Sequence, residues 1–108
     1  MQEELSRIKL IVALKAARAI IGWNQEEFAA ELGVAKSTIA RYETGEADVS
    51  FSEMVKIVSI YQRLGVNIDI MDPDALSISV HPKGLTYFKN RLEDDSLRRS
   101  DRRRPKKS

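Results

Sequence analysis

Apolar residues recur at three- and four-residue intervals from the start of the chain, at Leu5, Ile8, Ile11, Val12, Ala19 and Ile20, and the pattern stops at Gly22. That spacing predicts an amphipathic helix ending there. Asn24 followed three residues on by Glu27 is a capping box for a second helix, with Phe28, Ala29 and Leu32 on its buried side and Gly33 as its stop. A third helix, Lys36 to Thr44, turns Ile39 and Tyr42 inward and ends at Gly45. Ser50 and Glu53 make a second capping box. They open a fourth helix in which Met54, Ile57, Val58, Tyr61 and Leu64 repeat at helical spacing until Gly65.

The period then changes from helical to alternating. Val66, Ile68 and Ile70 are separated by Asn67 and Asp69, and Leu76, Ile78 and Val80 by Ser77 and Ser79, which predicts two strands. Asp72-Pro73-Asp74 between them is turn chemistry, so the strands read as a hairpin. An isolated hairpin is marginal in water, so its apolar face must cover the helices or its edge must pair with another strand. After Pro82 and Gly84 the pattern predicts a last short helix, with Leu85, Phe88 and Leu92 on its apolar side and Lys89, Asn90 and Arg91 on the other. From Ser96 onward only Leu97 is strongly apolar, and that tail is expected to remain solvated and disordered.

Composition and charge then narrow this picture. A chain of 108 residues with 43% apolar and 31% charged residues is an ordinary globular one. Its size allows one modest core, which a dimer mate or another partner would supplement. The absence of cysteine excludes disulfides, thiolate catalysis and thiolate metal sites, with the cytoplasm as the expected compartment. Glu3, Glu4, Arg7, Lys9, Lys15 and Arg18 interrupt the first apolar stretch too often for a signal peptide or a membrane span. Charge is unevenly distributed. The net +2 combines +6 over residues 96–108 with −4 over residues 1–95, so the basic character belongs to the tail and composition alone does not predict DNA binding.

The stretch from Gln25 to Thr44, QEEFAAELGVAKSTIARYET, carries the functional information. Ala29 sits where two short helices cross, Gly33 permits the tight turn, and Ile39 fills the interface one turn later. Together with Leu14, Arg18, Trp23, Gln25, Glu43 and Gly45, this pattern resembles the helix-turn-helix of the Cro and phage-repressor type, the XRE family, over roughly residues 10–65. The resemblance implies a mainly α fold: a four- to five-helix, lambda-repressor-like domain over 1–65. A β-hairpin and C-terminal helix over 66–95 would then form the dimerisation element, followed by the disordered basic tail of 96–108.

The resemblance also implies roles for individual residues. The third helix would lie in the major groove, with Lys36, Ser37, Thr38, Arg41 and Thr44 against DNA and Gln25 clamping the backbone. Arg41 is the first choice for base reading because arginine can donate to guanine O6 and N7; Lys36 can meet a base or a phosphate. Without the surrounding motif, such an exposed Lys and Arg would read as solvated surface. Arg18 and Glu43 would form a partly buried, structural ion pair. Trp23, Phe28, Phe51 and Tyr61 are expected in the core, and His81, with no companion ligands at metal spacing, is read as structural.

Two features depart from the family pattern. Ala35 stands at the third helix's cap in place of a hydroxyl residue. The loop Gly45-Glu46-Ala47-Asp48 is acidic where a basic phosphate contact would help. The basic side chains Arg98, Arg99, Arg102, Arg103, Arg104, Lys106 and Lys107 can compensate by following the backbone or entering a minor groove; otherwise the tail only solubilises. These expectations converge on a dimeric, sequence-specific transcription regulator of double-stranded DNA, more naturally a repressor. It would need no cofactor or metal and have no enzymatic activity. The alternative is an antitoxin-like module whose residues 66–108 bind a partner protein.

Overall fold

The computed structural model describes the backbone from Gln2 to Lys107 and the side chains of residues 4–94. Four helices come first: α1 (Gln2–Ile21), α2 (Gln25–Leu32), α3 (Lys36–Thr44) and α4 (Phe51–Arg63). An antiparallel hairpin, β1 (Val66–Asp69) with β2 (Ser77–Val80), leads into α5 (Pro82–Lys107).

Local chemistry sets most of these limits. Asn24 and Glu27 form the complete capping box, the Asn24 carboxamide oxygen accepting from the Glu27 N–H and the Glu27 carboxylate from the Asn24 N–H. Gly33 closes α2 at φ 81°, a left-handed conformation that a side chain would strain even though open space surrounds the position. At α4 only half of the expected box exists. Ser50 Oγ accepts from the Glu53 N–H and also meets Ser52 Oγ, so the cap is a single hydroxyl.

The hairpin register places Val66 opposite Val80 and Ile68 opposite Ile78, which gathers the apolar positions of both strands on one face. Val66 and Ile68 join the same buried cluster as the helices. The turn is held by Asp72, whose carboxylate accepts from the Asp74 N–H. His81 follows β2, its Nε2 accepting from the Asn67 amide at 2.9 Å while its backbone N–H donates to the Gly65 carbonyl.

The core is built from Leu14, Ile21, Phe28, Leu32, Ile39, Ile57, Tyr61 and Val66, with Trp23 stacked near Phe28 and tilted against Tyr61. Three sequence expectations about facing require correction. The buried side of α1 is Ala13, Leu14, Ala17 and Ile21, whereas Leu5, Ile8, Val12 and Ala19 are exposed. Alanines carry this face because they let neighbouring helices approach closely, so the longer apolar residues do not mark the packed side. Phe51 is not core: it is 78% exposed at the first turn of α4, while Met54, Ile57, Ile60 and Tyr61 point inward.

The third correction concerns α5. Its Leu85 and Leu92 are exposed, and it docks through Tyr87 and Arg91, one turn apart, with the edge of the Phe88 ring lying against Gly22. The Tyr87 hydroxyl accepts from Trp23 Nε1 at 3.0 Å, with the rings edge to face. Arg91, expected on the solvent side, donates to the Gly22 carbonyl and pairs with Glu27 at 2.7 Å. The helical backbone also continues to Lys107, through the segment expected to be a disordered tail. Arginine and lysine are good helix formers, which is consistent with a helix there even without an apolar face.

Candidate nucleic-acid interface

The α2–turn–α3 unit owes its geometry to a polar anchor beneath it as much as to apolar packing. Arg18 of α1 grips Glu43 of α3 with two parallel bonds, Nε to Oε2 at 2.8 Å and Nη2 to Oε1 at 2.9 Å. A third Arg18 nitrogen donates to the Trp23 carbonyl, and Gln25 Nε2 adds a donor to Glu43 Oε1 at 3.0 Å. The Glu43 side chain is only 4% exposed. Burial alone would push its carboxyl up, but the donors from Arg18 and Gln25 outweigh that and hold it below the usual carboxylate range. Its hydrogen bond to Glu43 raises the Arg18 guanidinium's pKa against the opposing effect of burial.

This anchor fixes the rotation of α3 about its axis. With Ile39 and Glu43 buried, the opposite side presents Ser37, Arg41 and Thr44, all exposed and at spacings of four and three. Lys36 is exposed beside them on the first turn, and Thr38 is half-buried at the flank. The expected reading residues are therefore not equivalent: Ser37, Arg41 and Thr44 form one stripe, with Lys36 adjoining and Thr38 to the side. The Thr44 hydroxyl donates back to the Ala40 and Arg41 carbonyls, leaving its acceptor lone pairs facing outward. Gln25 stands at the start of α2 with one amide N–H committed to Glu43; its carbonyl oxygen and second N–H complete its hydrogen-bonding capacity.

Ala35 caps α3 with no side-chain hydrogen bond, as its methyl requires. The acidic loop after α3 has a partner that sequence spacing did not reveal. Arg7, in the first turns of α1, bonds to the Gly45 carbonyl and pairs with Asp48 at 3.3 Å, so one of the two loop acids is balanced by a basic group. No short-range pattern links Arg7 to Asp48. Arg91, joined to Glu27, was missed for the same reason. Tyr42, beside Arg41, has its phenol pushed up by burial and by Glu53, which outweigh the opposing effect of Arg41.

The basic side chains from Arg98 to Lys107 lie outside the described ones. No group of three or more His, Cys, Asp or Glu suited to a metal ion occurs among the described residues. No helix among them is long and apolar enough to cross a membrane.

Residues 14–66, from the middle of α1 to the start of β1, match the family model described as helix-turn-helix. No curated protein and no solved structure matches the chain.

Proposed function

Residues 14–66 belong to the helix-turn-helix family of Cro, XRE and phage-repressor DNA-binding domains, and from that premise we propose a dimeric repressor that reads the major groove with α3. Membership of that family makes the protein a DNA-binding helix-turn-helix regulator. The observation that carries the finer reading is the exposed Ser37, Arg41 and Thr44 stripe on a helix whose rotation is locked by Arg18 and Glu43. Arg41 donates to a guanine edge, Ser37 meets a base edge or phosphate, and Lys36 supports them from the first turn. Gln25 approaches the sugar-phosphate backbone at the start of α2, and the basic segment Arg98 to Lys107 adds charge-driven affinity. Two copies then recognise half-sites about one helical turn, roughly 34 Å, apart. Repression follows from occupancy alone, since a bound dimer blocks polymerase without a further surface.

Selection of bound duplexes from a random pool tests this. The wild type should enrich an inverted repeat, and Arg41→Ala should lose preference at one symmetric position while keeping the rest. Absence of any enriched motif would remove the proposal. A second reading, in which residues 66–108 hold a partner protein, draws support from the exposed Leu85, Phe88 and Leu92 on α5.

A further inference from the structure

The junction between α1 and α2 sets where Gln25 stands, and α5 grips that junction from outside the residues that match the family. Tyr87 accepts from Trp23 Nε1 at 3.0 Å, and the Phe88 ring lies against Gly22, 3.3 Å from where a Cβ would stand. Arg91 Nη2 donates to the Gly22 carbonyl at 3.1 Å and reaches both oxygens of Glu27, Oε1 at 2.8 Å and Oε2 at 2.7 Å. Glu27 Oε1 also accepts from the Asn24 N–H, so the arginine closes on the capping box at the start of α2. Docking alone gives little reason for an arginine here. Tyr87 and Phe88 already hold the helix, and Arg91 Nε is buried with no hydrogen-bond partner among the described residues, a cost that an apolar side chain would not carry.

We propose that Arg91 is a positioning residue for DNA binding: paired with Glu27, it cancels a negative charge at the end of α2 that meets the sugar-phosphate backbone. The inference rests on the reading in which Gln25 approaches that backbone. Gln25 and Glu27 belong to the same first turn, which also carries Glu26, so a phosphate drawn to Gln25 meets two carboxylates within one turn of helix. Glu26 is exposed and water screens it, whereas the Glu27 side chain is 36% exposed and lies between α2 and α5, where screening is weaker. Arg91, 25% exposed, supplies the compensating charge from a helix that the family match does not include. The other flank of Gln25 is built in the same way, with Arg18 holding Glu43 and Glu43 accepting from the Gln25 amide. An arginine on each side thus neutralises an acid beside the backbone contact, Arg18 through α3 and Arg91 through the first turn of α2.

Titration of the full chain onto the selected duplex and onto a mixed-sequence duplex, at low and at high salt, tests this with Arg91→Gln, Arg91→Lys, Glu27→Gln and the double variant Arg91→Gln/Glu27→Gln. Helical circular dichroism verifies folding, and glutamine at position 27 preserves the capping-box acceptor. Arg91→Gln leaves an amide donor but no charge, and should raise the Kd about fivefold at low salt and less at high salt, on both duplexes. Arg91→Lys should stay within about twofold of the wild type. The double variant should lie within about twofold of Glu27→Gln, since no carboxylate charge is then left to cancel. An equal loss from Arg91→Gln with and without Glu27→Gln would make Arg91 a direct phosphate contact, and no loss in either would make it a packing residue; both results overturn the proposal. A backbone effect needs no particular sequence, so the mixed duplex keeps failure of Arg91's role separable from failure of motif reading, which the selection reads on the wild type. A wild type that binds neither duplex would remove both.

Discussion

Glu43 holds three donor bonds in a nearly closed site, and the sign of its pKa shift determines how stability depends on pH. Its folded value lies below its unfolded one, so its contribution is complete above the ordinary glutamate value of about 4.3 and is lost as pH falls through the folded value. Thermal melts across the acid range should show this loss in the wild type, and Glu43→Gln should lack that component while being less stable at neutral pH. Arg18→Ala strands the carboxylate and should cost about 3 kcal/mol in urea unfolding. Tyr61 presents the opposite case. Its hydroxyl is buried with no partner among the described residues, and burial drives its pKa far above the usual phenol range. Tyr61→Phe removes a polar group that gains nothing there, and should leave stability unchanged or higher by up to about 1 kcal/mol. A marked decrease in stability would show that the hydroxyl is bonded in solution.

Among the elements, α3 is the least well supported at its start. Ala35→Ser supplies the missing cap and should stabilise the protein by about 1 kcal/mol, read as a raised thermal midpoint. The junction between α4, β2 and α5 depends on two glycines in contact. A Cβ on Gly84 would lie 2.9 Å from the Gly65 carbonyl oxygen, so Gly84→Ala should destabilise by about 1–3 kcal/mol in the same measurement. Helix limits, the Asn24–Glu27 box and the hairpin pairing were legible because each depends on neighbours in sequence: a cap three residues from its partner, or alternation opposite alternation. The facing of α1 and α5 was not. Leu5, Ile8 and Val12 on one helix and Leu85 and Leu92 on the other turn outward, while Ala13, Leu14, Ala17 and Ile21 on the first and Tyr87, Arg91 and the edge of Phe88 on the second make the contacts. Periodicity shows that a helix has two sides, but which side packs is set by partners distant in sequence. The same limit hid Arg7, whereas Arg18 and Glu43 were found through family resemblance and not through spacing.

At the scale of the whole molecule, the charge is divided between an acidic body and a basic end. A −4 body repels DNA at long range, so the +6 segment of residues 96–108 should dominate salt-dependent affinity. A chain ending after Asp95 should keep the selected motif but bind more weakly, its salt slope falling by about 0.9 for each phosphate that the tail would have neutralised. An unchanged slope would assign the tail to solubility alone. The single tryptophan of this chain lies where these parts meet: Trp23 follows α1, contacts Phe28 of α2 and Tyr61 of α4, and donates to Tyr87 of α5. Its indole emission is therefore an intrinsic optical gauge of α5 docking. Undocking of α5 with the rest folded would release the indole N–H from Tyr87 and shift the spectrum before the helical signal falls, allowing detachment of the C-terminal helix to be timed in the unlabelled protein.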